Sequence, residues 1–557
     1  MKKTSKLFLF LLSMVLLILL VSNNTFTSYL LGEVQYQKVQ LKPGNIEVPH
    51  ERTIIWKNQS AFADSIYNFW ARRTISEEML AGKGNAPRIL LAKLLIGREI
   101  AEVNKTILKL KAWGVSGSSW ALNKKGDYDF TFTILTTILW FYGDQPEVLY
   151  PETKDFLLKV LLTEDGNKFR YTAPRTLRLV KETENHLLMT EGSRYLKNRW
   201  IMLHGNKDSY FNNIQNGMES KIMALLEEMK TNGLYEFNSL PYIGYTITAL
   251  LNLEAFASDN VRAEARNVLD YINWCYAIGS YKLKNYPPMR RRYEKSVIQD
   301  FDNNYHTVFM KSWLSFVPYG NYSDRVGVGK EHAIMGACLP YRPADKVVRL
   351  LFDKRDGYFV KMGHGPISSP EIYSAGKHFL LSAGGVNRGK RSLIVSRPIT
   401  LFLDDNAENL SETFHLSGPG TNFMEWNNTG VYKKFACAAG PVFIPKSFVP
   451  IRKNENWSIY STNDSVQIAV HSTAGFGLIA IFENTDSDSL LSQLTLSNRE
   501  IDKLKTCFQL PDGHKITYNV LASKDKWVII SDNEQMLNRD FDNWPLIDGD
   551  IKNVTQR

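Results

Sequence analysis

The stretch CLPYRPADK, residues 338–346, divides the chain into two regimes. Pro340 and Pro343 each lack the backbone N–H that a helix uses, and each biases the preceding residue away from helical angles. Upstream, from about 60 to 340, apolar residues recur at spacings of three and four, the period of a helix with one buried face. Downstream, from about 345, the period becomes two. Short β-branched and aromatic runs such as RSLIVSRPITLFL (391–403) and FGLIAIFEN (476–484) are broken by Gly, Asn, Asp and Pro. Strands do not alternate with helices, which disfavours a parallel nucleotide-binding sheet.

Working outward, the helical region predicts one long helix over 86–114 and further helices near 128–142, 153–162, 182–203, 215–231, 240–257 and 260–278. Short punctuated loops between them favour antiparallel helix hairpins. The expected fold class is α then β: an incomplete (α/α) toroid of helix hairpins over 27–342, followed by an antiparallel β-sandwich over 343–557. The natural place for a ligand is the cleft between them.

Residues 1–26 read differently. Lys2, Lys3 and Lys6 precede an apolar run from Leu7 to Val21, the pattern of a signal peptide or an N-terminal anchor. Either one makes the protein exported, whether periplasmic, cell-surface or secreted, with any membrane tether confined to this segment. The chain has 557 residues, 44% of them hydrophobic, enough for two or three cores, and its net charge of +10 is a mild excess. That excess suits an acidic polysaccharide or oligosaccharide as partner. Its densest patch, MRRRYEK (289–295), reads as a solvated loop or a polyanion contact. No nucleic-acid motif accompanies it, so nucleic acid is not expected. The four cysteines, Cys275, Cys338, Cys437 and Cys507, have no metal spacing and read most simply as small buried hydrophobes. Nucleophile-elbow, Walker, H-E-x-x-H and C-x-x-C patterns are absent, so serine-hydrolase, nucleotidase and zinc-protease chemistry are disfavoured.

The strongest candidate for chemistry is ETENHLLMTEGSRYL (182–196), an apparently amphipathic helix carrying Glu182, Glu184, Asn185, His186 and Arg194. Asn185 is suited to binding a carboxylate and His186 to moving a proton; the plainer reading is a helix cap with a semi-buried histidine. In LYEFNSLPYIGYTITALLNLEAFA (234–257), Tyr242 and Tyr245 are three apart and share a helix face, with Glu236 just before them. They read as a general acid or base at the cleft, or as an aromatic core stripe. Trp120 and Asp127, in SSWALNKKGDYDF (118–130), offer a sugar platform and a hydroxyl acceptor, or a packing residue and a cap. Tyr305 and His306 precede an apolar run and read as packing or binding. In the strand region His364 stands between glycines, and Glu371 and Tyr373 alternate onto one face of the next strand.

Taken together, the Asn-His of ENH (184–186), the downstream tyrosines and the segment MGHG…EIYSAGKHFLLSAGG (362–385) resemble the heparinase II/III and alginate-lyase group of polysaccharide lyases. The resemblance covers most of the chain in layout and is specific at these few points. Where heparinase-like members usually continue as His-x-His-x-Asp, this chain has HGPISS, lacking the second His and the Asp. The metal associated with that segment is therefore not expected. The resemblance implies β-elimination at a uronic acid without a cofactor. Asn185 would neutralise the carboxylate, His186 or His364 would take the C5 proton, and Tyr242 or Tyr245 would protonate the leaving oxygen. Two alternatives stand beside it: a glycoside hydrolase using paired carboxylates on a similar toroid, and a non-catalytic envelope protein that binds glycans on a lyase-like fold.

Overall fold

The computed structural model describes residues 2–21, 47–81, 85–110, 129–162, 182–240, 242–290, 298–301, 304–318, 332–364, 370–384, 394–418, 430–463, 466–522, 526–540 and 547–551. Helices come first and antiparallel sheets second. The last helix of the first part, Asp345–Phe352, begins directly after the two prolines, and the first long strand, Tyr358–Met362, follows it. Asp345 secures that helix start by accepting the backbone N–H of Thr53 at 2.6 Å, which ties the segment around Thr53 to the point where helices give way to strands.

Two expectations about helices are corrected. The single helix over 86–114 is two, Asn85–Leu95 and Ile100–Ile107, with 111–114 outside the described residues. Gly97 at φ 66° and Glu99 at φ 52° turn the chain between them, and Glu99 is held in that left-handed state by an ion pair with Lys93. The helix Glu184–Leu203 is not amphipathic: its first fifteen residues are all buried. It packs against Asp129–Tyr142 and Tyr242–Phe256, and the latter packs in turn on Asp259–Ile278. A helix covered on every side must satisfy its polar residues internally, and that requirement builds the site described below.

The strand part contains a seven-stranded sheet, a six-stranded sheet and a four-stranded sheet, in which every pairing is antiparallel. The seven-stranded sheet separates two cores. From strand Glu371–Gly376, Tyr373 and Ala375 join the helical core while Ile372 joins the core shared with the six-stranded sheet. Likewise Leu380 and Phe402 face the helices, and Leu381, Leu401 and Leu403 face the other sheet. Period-two alternation thus assigns each strand residue to one of two interiors. One helix in this part was not expected, Ser487–Ser497, started by Asp486, whose carboxylate accepts the Ser489 N–H at 2.8 Å. The N-terminal segment forms the helix Lys2–Val21, and among the described residues no helix is long and apolar enough to cross a membrane. All four cysteines are free.

Candidate functional site

The helix Glu184–Leu203 begins with a polar turn that is almost wholly buried. Asn185 does local work there: its Oδ1 accepts the Thr183 hydroxyl at 2.5 Å and the His186 backbone N–H at 2.7 Å. The latter is one of the N–H groups that a helix start leaves without an intrahelical partner. Its Nδ2 donates to Glu236 Oε2 at 2.7 Å, and Glu184 Oε1 accepts the Glu236 backbone N–H at 2.8 Å. Residues 184–185 and 236 are therefore locked together. Burial first, and then the Glu236 carboxylate, push the Glu184 pKa up from an ordinary 4.5 to about 7. Arg290 pulls the other way. Far from lying on a solvated loop, Arg290 is buried, with its guanidinium 3.6 Å from the Tyr235 ring centre and its backbone N–H donating to the Phe237 carbonyl at 3.1 Å.

The segment after Glu236 reaches the strand region. The ring of Phe237 stacks on His364 with centres 4.6 Å apart and planes 6° from parallel. Asn238 donates to Glu371 Oε1 at 2.9 Å and to the Pro288 carbonyl at 3.1 Å. It does so at φ 51°, a left-handed conformation that asparagine adopts more readily than most residues. His364 Nε2 lies 2.6 Å from the same Glu371 oxygen, and the Tyr373 hydroxyl donates to Glu371 Oε2. Burial, followed by the Glu371 charge, raises the Tyr373 pKa well above its usual value, so the phenol stays protonated. Glu371 thereby collects Asn238, His364 and Tyr373, one from the helical part and two from the sheet.

A second, aromatic group adjoins the first through the neighbouring residue His186. The His186 ring centre is 5.7 Å from Phe130, and Phe130 is 4.3 Å from Tyr245. Tyr245 meets His332 edge-on at 4.7 Å, and Tyr305 meets the same imidazole at 4.8 Å. His332 is fully buried and its pKa is pushed well down by desolvation and then by Arg88, which keeps it neutral. Gly244 makes room for it: a Cβ there would lie 2.7 Å from the imidazole.

Of the residues singled out in the sequence, the structure brings Glu184, Asn185 and Glu236 into one hydrogen-bonded group and His364, Glu371 and Tyr373 into another, the two linked through residues 236–238, and His186, Tyr245 and Tyr305 into an adjoining aromatic one. Tyr242 opens the Tyr242–Phe256 helix and Glu182 precedes the Glu184–Leu203 helix; both are buried. Two residues stand apart. Arg194 lies more than two turns along its helix and pairs with Glu191 at 3.0 Å. His306 bonds Asn273 at 2.8 Å in the helical core, where burial pushes its pKa down to about 3, so it serves packing. Trp120 and Asp127 lie outside the described residues. Phe237 and His332 were not among the expected residues, Asn238 was noted only for preceding the tyrosine helix, and Arg290 lay in a patch read as a solvated loop or a polyanion contact. Among the described residues no group of His, Cys, Asp and Glu has the arrangement of a metal centre. Beside the site a cavity of about 20 Å³, lined by Asn238, Asn304 and Arg397 among others, has space for a water rather than a sugar.

No protein-family model, curated protein or solved structure matches this chain.

Proposed function

We propose that the chain is an exported polysaccharide lyase that cleaves a uronic-acid-containing glycan by β-elimination, with its helices arranged as an incomplete toroid against a β-sandwich. The observation that carries this reading is the tripeptide Glu236-Phe237-Asn238. Its three consecutive residues bond Asn185, stack on His364 and bond Glu371, joining the helical and strand candidates in one place.

The obstacle in β-elimination is the weak acidity of the proton next to the uronate carboxylate. His364 is the base: with Nε2–H directed at Glu371, Nδ1 carries the lone pair that accepts the C5 proton. Glu371 fixes that tautomer and stabilises the imidazolium formed. Asn185 uses one N–H on Glu236, and an amide nitrogen has two, so the second is available in kind for the substrate carboxylate. Glu184 with its raised pKa remains largely neutral below about pH 7, which reduces the repulsion a uronate meets, and the Arg290 charge adds attraction. As the C5–H bond breaks, its electrons form the C4=C5 double bond and the C4–O4 bond breaks. Tyr245 protonates the departing O4. His186, beside the same Phe130 ring, orients that side of the site. The pocket has to open for a sugar to enter.

The raised pKa of Glu184 next to Glu236 favours one other reading, a glycoside hydrolase with Glu184 as general acid. One assay separates the two. A panel of uronic-acid glycans is incubated with the full chain, and ultraviolet absorbance of an unsaturated uronate is read alongside new reducing ends. Both signals together are expected, and both are lost in His364→Ala. Reducing ends without the absorbance would replace elimination by hydrolysis; neither signal on any acidic glycan would remove catalysis altogether.

A further inference from the structure

At the opposite end of the Tyr242–Phe256 helix lies a pocket that the site above does not use. Glu254 lines it, twelve residues on from Tyr242, a distance of about 18 Å at 1.5 Å per helical residue. Its volume is about 550 Å³, within the range of roughly 300–1,000 Å³ typical of small-molecule sites. Around it stand Arg52, Arg262, Arg266 and Arg342, with Trp56 and Glu254.

The charges do not balance. Arg52 is neutralised by the buried Asp270 at 2.5 Å, and Arg266 by Glu254. Arg262 donates to the Ala257 carbonyl at 3.3 Å, and its one carboxylate partner among the described residues is Asp259 at 3.2 Å, whose side chain is 96% exposed. Arg342 has no carboxylate partner among the described residues. Its Nη1 donates to the Leu339 and Tyr341 carbonyls, and its plane covers Phe316 at 4.1 Å. The guanidinium is thus held in place, and the carboxylate that acts on its charge, Glu254, is already paired with Arg266. Two buried polar atoms accompany it without a hydrogen-bond partner among the described residues: Glu254 Oε2, on a side chain only 2% exposed, and Trp56 Nε1. Buried groups of this kind are normally satisfied. A ligand that bears an anion for Arg342 and Arg262, a hydroxyl donor for Glu254 and an acceptor for Trp56 meets each of these requirements.

We infer that this pocket binds a small hydroxylated anion of the sugar-acid or sugar-phosphate class, independently of the His364 site. Guanidinium groups recognise carboxylate and phosphate alike through paired N–H donors, so both sources share the same chemistry here. Arg52 and Tyr341 give the pocket a stiff floor: the Tyr341 hydroxyl donates to Asp270 at 2.7 Å and receives Asn273 at 3.0 Å, so the wall is ordered before a ligand arrives.

Calorimetric titration of the full chain with D-glucuronate, D-glucose 6-phosphate and neutral D-glucose tests this. At least one of the two anions should bind with one site per chain and glucose should not, and the anion that binds identifies the source. Arg342→Gln should weaken binding at least about tenfold, the loss expected of a charge-assisted contact. Arg262→Gln, on a side chain 40% exposed, should leave folding intact and weaken it severalfold, and decides the matter if Arg342→Gln does not fold. His364→Ala should leave the titration unchanged, which separates this pocket from the lyase reading. Binding of neither anion, equal binding of glucose, unaltered affinity in the folded arginine variants, or loss in His364→Ala would each overturn the inference.

Discussion

The two ends of the Tyr242–Phe256 helix solve opposite problems with the same residue types. At its N-terminal end, acids, an amide and an imidazole are hydrogen-bonded to one another, atoms such as Glu184 Oε2 lack a partner among the described residues, and the adjacent cavity is about 20 Å³. At its C-terminal end, arginines and one acid border about 550 Å³ of space and leave polar atoms unpaired. A closed network controls protonation states through burial, whereas an open one leaves charge to be met by something else. The closed end is thus suited to holding an imidazole in one tautomer, and the open end to holding an ion.

The sharpest way to break this contrast is to remove the imidazole of the closed end. His364→Ala takes away the proposed base and is expected to lower turnover by about 10²–10⁴-fold, the usual contribution of a positioned acid–base group. Glu371→Gln should lower kcat too, because an amide no longer dictates which imidazole nitrogen carries the proton, while KM should change little. Circular dichroism of both variants should match the parent chain, since the surrounding core is supplied by other residues. Parent-like kcat in the two variants would confine this end of the helix to a structural role.

Glu184 sharpens the contrast without reference to any substrate. Its pKa is raised in the folded chain, so between an ordinary 4.5 and about 7 the folded state binds more protons than the unfolded one. Stability contributed by the neutral form is then fully present below about pH 4.5 and is lost as pH rises through about 7. The shift corresponds to roughly 3 kcal/mol. Glu184→Gln retains an oxygen to accept the Glu236 N–H but cannot ionise. It should leave stability near pH 4 almost unchanged and raise it by up to about 3 kcal/mol near pH 8, as read by denaturant melts across that range. A melt series with the same pH slope in the variant and the parent would show that Glu184 ionises normally.

The closed end was partly legible in the sequence because polar types appeared where an apolar period called for packing residues. Asn185 and His186 stand in a helical run, and Glu371 and Tyr373 stand two apart in a strand, the spacing that does place Tyr373 on Glu371. His364 stood out through its glycine neighbours. What periodicity could not show is the third dimension. Phe237 and Asn238 look like loop residues, and only the left-handed turn at Asn238 brings its amide to Glu371 across 133 positions of sequence. Arg290 looked solvated because it opens a run of three arginines, yet a tyrosine face and the site's acids draw it inward. The open pocket was invisible for the same reason: Arg52 and Trp56 come from early in the chain and Arg342 from the stretch between the two prolines, 290 positions after Arg52, where Arg52 Nε bonds the Arg342 carbonyl.

The smallest expected effect comes from one methyl group placed behind the closed network. Gly279 follows the helix Asp259–Ile278, and a Cβ built there would sit 2.7 Å from the Tyr373 ring and 2.8 Å from its hydroxyl. Its φ of −87° suits any residue, so Gly279→Ala introduces no backbone strain and acts only through that contact. Overpacking of this kind costs about 1–3 kcal/mol when the neighbour cannot yield. Tyr373 is a rigid, fully buried ring whose hydroxyl holds Glu371, and Glu371 holds His364, so part of the displacement should pass to the imidazole. The expected result is a modest loss of stability in thermal melts and a change in the His364 imidazole chemical shifts seen by nuclear magnetic resonance, with the sugar-anion pocket at the other end of the helix unaffected. A stability loss with an unmoved imidazole would mean that Tyr373 yields without carrying Glu371 along, and that the network is less tightly coupled than its hydrogen bonds imply.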